Sequence, residues 1–130
     1  MAKTAEQAVH DALWQIAVSI VGEGNVYENR PMSEVPYPFV DFDEFATDYG
    51  GTKNGTTATV TASLNIWDTE DKRKSVSDAG SAILVAALKL QVAFGYPVCL
   101  RVSQSGTRIV QDRSVTPPVW RCMVNLVFEI

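Results

Sequence analysis

The sequence predicts an α+β domain: a mainly antiparallel sheet with two helices packed on one face, in the order α-β-β-β-α-β-β-β. Three observations predict it. Residues 56–68, TTATVTASLNIWD, alternate apolar and polar side chains with period two, the mark of a half-buried strand. After a charged, Ser-rich break, Val76, Ala79, Gly80, Ile83, Leu84, Ala87 and Leu90 recur at helical spacing. Finally Trp120, Cys122, Val124, Leu126, Phe128 and Ile130 alternate to the last residue, as in a strand paired within a sheet.

The elements follow in order. Thr4 with Gln7 three residues later reads as a capping box opening the first helix. Ala5, Val9, Ala12, Leu13, Ile16 and Ile20 fall on one face, and Gly22 and Gly24 are stop signals after Val21. Trp14, Val18 and Val21 form a second apolar stripe, expected to face away from the first and to contact another subunit. The alternative is that a C-terminal segment of the same chain covers Trp14. Residues 25–27 read as a short strand, and the Pro-rich stretch 30–38 as an extended loop. Residues 39–45 read as a second strand. Residues 46–55, with Gly50-Gly51 and Asn54-Gly55, read as a mobile hairpin loop, which places Tyr49 and Lys53 against a neighbouring molecule in assemblies. Beyond the second helix the chain breaks at residues 94–97. Strands are expected over 98–103 and 107–112, with Thr116-Pro117-Pro118 ending the pairing before the last strand.

A length of 130 residues gives one domain, 1–130, with neither repeat nor linker. Hydrophobic residues at 46% and charged residues at 20% are ordinary for a globular chain. A net charge of −4 and a pI of 4.9 argue against wrapping phosphate backbones. The N-terminal residues lack a continuous apolar stretch, and the apolar run 83–88 is too short to span a bilayer, so neither targeting segment nor membrane partner is expected. Cys99 and Cys122 form no metal-ligand spacing and read as buried free thiols.

The candidate chemistry is sparse. Asp41 and Asp43, with Glu44 following, could hold a hard cation or a raised-pKa acid, but no other ligand pattern accompanies them. They read instead as the solvated outer face of a strand, available to a subunit contact. His10 is the single histidine and reads as an exposed helix residue. Arg101 and Arg108, like Arg113 and Arg121, read as solvated strand residues or subunit salt bridges. Trp67 reads as an aromatic cover at a sheet edge or as an interface anchor. No catalytic constellation, metal site or cofactor motif emerges. The competing classes are a small acidic metal-dependent enzyme using Asp41, Asp43 and Glu44, and a small-molecule-binding α+β module.

The order of these features carries a resemblance. An opening helix precedes Val26-Tyr27 and the segment Pro36-Tyr37-Pro38-Phe39-Val40. A glycine-rich stretch leads into Leu64-Asn65-Ile66-Trp67-Asp68, a helix carries Ala79 and Ala87-Leu88, and the chain closes on Asn125-Leu126-Val127-Phe128-Glu129-Ile130. Over nearly the whole chain this resembles the tail-completion, or tail-terminator, proteins of long-tailed phages, prophages and gene-transfer agents. The resemblance implies a virion structural protein of the head-tail junction, assembled in the host cytoplasm. It implies a homo-oligomeric ring, usually of six subunits, that caps the tail tube protein, ends its polymerisation and meets the head connector or stopper protein. DNA would pass through the channel without specific binding. Another head-tail connector or a minor tail protein is the neighbouring reading.

Overall fold

The computed structural model describes residues 3–52 and 55–130. Helix α1, Ala5–Val21, starts as its cap dictates: the Thr4 hydroxyl accepts the Gln7 backbone N–H at 3.1 Å. It ends at Gly22, whose φ of 97° suits glycine. The strands β1 (Val26–Tyr27), β2 (Phe39–Thr52) and β3 (Gly55–Thr69) follow, and then α2 (Arg73–Lys89). After α2 come β4 (Val92–Ala93), β5 (Tyr96–Pro97), β6 (Cys99–Leu100), β7 (Gly106–Asp112) and β8 (Val119–Glu129). The main sheet runs β1-β2-β3-β8-β6, with β7 also on β8. Every pairing in it is antiparallel except β1 with β2.

Both helices cover one face of this sheet. Ala8, Val9, Leu13 and Ala17 of α1 and Val76, Ile83 and Ala87 of α2 are buried in one core with Val40, Phe42, Leu64, Ile66, Val124, Leu126 and Phe128 from alternate strand positions. Gly80 lets α2 approach β8. A Cβ there would stand 2.5 Å from the Cys122 sulfur, so the Cys122 side chain leaves no room for one.

The glycine-rich segment 46–55 is not the loop its composition suggests. β2 stays paired with β3 from Phe45↔Ala62 to Thr52↔Gly55, although Lys53 and Asn54 lie outside the described residues. The Thr- and Val-rich run 56–60 is a strand that needs a backbone partner, and a Cβ added at Gly50 would stand 3.2 Å from the Thr57 hydroxyl oxygen. β8 accompanies β3 only as far as Thr59↔Glu129, so the β2–β3 ribbon projects beyond the rest of the sheet as an arm.

Two further expectations change. Only Cys99–Leu100 of the segment 98–103 forms strand. The chain then leaves β8 through a 3-10 turn at Val102–Gln104, and the Ser105 hydroxyl accepts the Val127 N–H at 3.1 Å in place of a ladder carbonyl. The break at 94–97 contains a small hairpin, with Phe94 at φ 47° and Gly95 at φ 92°, the positive pair that tight hairpin turns require. Cys122 is buried, which pushes its thiol up, whereas Cys99 on the short edge strand β6 is exposed.

Gly80→Ala is expected to cost about 1–3 kcal/mol through overpacking. Gly80→Ala combined with Cys122→Ala is expected to recover most of that loss, because the added methyl then occupies the space of the sulfur. A double-mutant cycle in urea measures the coupling.

Candidate functional site

One extra residue in β2 determines what surrounds the site. The register shifts between Phe42↔Leu64 and Phe45↔Ala62, so Asp43 and Glu44 form a bulge. Strict alternation would put Phe45 on the side opposite Phe42. The bulge returns it to the helix side, where the two rings stack 5.8 Å apart. His10 lies against both, at 5.1 and 5.3 Å, and Trp14 lies 5.1 Å from Phe42. His10 is therefore half-buried, not exposed, and its ring nitrogens meet Asp11 at 2.9 Å and Glu28 at 2.7 Å. Trp14, Val18 and Val21 likewise do not face away from the core: all three are partly buried and packed on it. Phe42 of β2 and His10 of α1 itself supply the rings packed on Trp14.

The face without helices carries a second, smaller cluster. Phe39, Trp67 and Val119 are buried there, with Tyr27, Val35 and Tyr37 packed on them from β1 and the Pro-rich segment. Trp67 is 3% exposed, stacked on Phe39 at 6.2 Å. The Arg30 and Arg121 guanidinium groups lie 4.1 and 5.2 Å from its ring. Its indole N–H donates to Asp41 Oδ2 at 2.6 Å, and Asn65 Nδ2 donates to Asp41 Oδ1 at 2.7 Å. Arg121 Nε closes the network on Asn65 Oδ1 at 2.9 Å, and Arg30 reaches Asp112 at 3.4 Å.

Asp41 is thus not on a solvated face. It is 2% exposed, and burial raises its carboxyl above the usual carboxylate range against the opposing pull of Asn65, Trp67 and Arg121. Trp67 is not a free anchor either, since its surface is already covered from within the chain. Asp43 is exposed on the bulge, 4.0 Å from Arg121. The two carboxylates that the sequence pairs are therefore separated by environment. Among the described residues, no group of three His, Cys, Asp or Glu side chains could share a metal ion.

Beside the network a cleft of about 500 Å³ opens between Asp43, Ser63, Asn65, Ser105, Arg108 and Asn125. Its guanidinium, amide and hydroxyl groups can hydrogen-bond a polar partner. Arg101 is engaged by Glu129 at 3.1 Å, whereas Arg108 is exposed and has no ion-pair partner among the described residues. Tyr49 stands 77% exposed on the arm. Arg30, Asn65 and Arg121 are the members the sequence reading did not single out as a unit. The parity of Asn65 and Trp67 on one strand was the available signal, but the partners come from segments 24 to 56 residues away.

A model of the family described as tail completion protein gp17 matches residues 7–127. The chain belongs to this family. It is a structural protein of the phage tail, and its place is the virion. The tail completion fold seen here also resembles a chain of the solved virion of a native gene transfer agent particle, with a TM-score of 0.69 at 14% identity. That likeness covers 98% of both chains. No curated protein matches the chain by sequence. The half-covered sheet, the buried Asp41 network and the projecting arm are accordingly features of a tail completion protein, and an enzymatic role for the acidic pair has no support in their geometry.

Asp41→Asn is expected to destabilise the fold by about 1–3 kcal/mol, since an amide has one acceptor oxygen for the two donors aimed at it. Asp43→Asn is expected to stay within about 0.5 kcal/mol of the parent. Chemical denaturation of the two variants makes the comparison.

Proposed function

We propose that this tail completion protein assembles as a ring of identical subunits at the end of the tail tube. There it ends tube polymerisation and forms the surface that joins the head. The reading is supported by family membership together with one structural observation. The β2–β3 arm continues past the end of β8 with Tyr49 exposed, an extension with little to pack against in its own chain. Such an element gains its contacts from a neighbour. In the ring, the exposed members Asp43, Tyr49 and Arg108 are available for subunit or partner contacts. Arg101, held by Glu129, is a weaker candidate, and Trp14, Val18, Val21, Asp41 and Trp67 support the fold from inside. Lys53 completes the arm's sequence outside the described residues. DNA passes through the channel without specific contacts, in keeping with the net charge of −4.

The test uses purified tail tubes and negative-stain imaging. Addition of the protein is expected to halt tube growth, to place ring density at one tube end and to make those tubes competent to join heads. Unchanged tube length, with density found on heads alone, would assign the protein to the head side of the junction instead. Tyr49→Ala is expected to weaken capping at least several-fold while leaving the melting temperature of the free subunit unchanged.

A further inference from the structure

The main sheet has two unpaired edges on opposite sides. Among the described residues strand β7 pairs only with β8, so the other side of its ladder is free. Strand β2 pairs with β1 only at Val40 and Asp41, so its outer side is free over residues 45–52. The edges match in length: seven residues in β7 and eight register positions in that part of β2. Neither stretch contains proline, so no backbone donor is missing.

We propose that neighbouring copies of this chain join by strand addition, the free edge of β7 in one copy pairing antiparallel with residues 45–52 of β2 in the next. The inference rests on the ring reading and adds the contact that would close it. Direction supports it. β2, β3, β8 and β7 alternate along the sheet, so β7 runs opposite to β2. Rotation about an axis lying roughly along the strands keeps that relation, and the next copy's β2 meets β7 antiparallel. The two edges differ in height, since Ile109 is level with Ile66 and Asp48 with Thr59. Closure therefore needs strands inclined to the ring axis, as in any closed barrel.

Charge selects this pairing over its alternatives. The β2 edge carries exposed Glu44 and Asp48, and the β7 edge carries exposed Arg108. Arg108 lies opposite Met123, and Asp48 lies opposite Thr59, which in turn faces Glu129. By strand parity Asp48 and Arg108 therefore share the helix-free face. Pairing β2 with a second β2 sets acid against acid, and in a β7–β7 pair the one acid that could answer Arg108, Asp112, is already held by Arg30. The unlike pairing opposes exposed acid and exposed base that hold no partner among the described residues. A contact between two different surfaces of one chain is head-to-tail, the kind that generates rings.

The test is a charge swap read by sedimentation velocity and by tube capping. Arg108→Glu and Asp48→Lys, each alone, are expected to weaken subunit association at least about tenfold. The double variant is expected to restore association and capping to near the parent level. Both positions are exposed, so each variant should keep the parent's melting temperature as a free subunit. Rings that persist in both single variants, or a double variant no better than the singles, would overturn edge pairing while leaving the ring intact. A parent protein that forms no ring even on tubes would overturn the ring reading itself, and the edge contact with it.

Discussion

A sheet covered on a single face is the constraint from which the rest of this structure follows. Two helices are enough to bury one side of β2, β3 and β8, and among the described residues no third layer of helices or strands covers the other. The exposed side of such a sheet must be polar, be covered by loops or be given to a partner. This chain does the first two in different places, and we propose that it does the third at its open edges. Toward the Phe39 end of β2, the Pro-rich segment folds over Phe39 and Trp67, and a hydrogen-bonded carboxylate replaces solvent beneath it. In the middle, Ser63, Asn125 and Arg108 bring polar groups to the cleft. At the Tyr49 end, the ribbon projects beyond its neighbours.

The bulge in β2 couples these regions. The added residue turns Phe45 toward the helices, which completes the aromatic packing around His10 and Trp14. The same residue leaves Asp43 and Glu44 at the edge, so the acidic pair is divided between a buried structural member and an exposed one. Asp41 then stabilises the fold through the donors it accepts, and removal of either partner would leave a buried polar group unsatisfied.

The regular part of this architecture was legible in the sequence because it rests on local periodicity. The Thr4 cap, the Gly22 stop, the apolar faces of both helices, and strands β3 and β8 all follow from spacing within a few residues. What was not legible depends on register. The burial of Asp41, the covering of Trp14 and the pairing of Gly50 and Gly51 each require a partner strand and, for Phe45, the position of a bulge. Composition made residues 46–55 resemble a loop, but the threonines facing Gly50 and Gly51 hold them in a ladder. The family resemblance indicated a structural protein of the phage tail. It could not indicate which exposed residues form contacts, because that is decided by which strand edges the fold leaves open.

Amide hydrogen exchange of the free subunit and of the protein in assembled tails tests most directly whether the uncovered sheet edges are the assembly surface. The account predicts that protection rises in the assembled state over residues 45–52 and 106–112. The outer surface of α2, where Val85 and Leu88 are exposed, should exchange alike in both states. Protection gained on that helix surface, with both strand edges unchanged, would contradict the account.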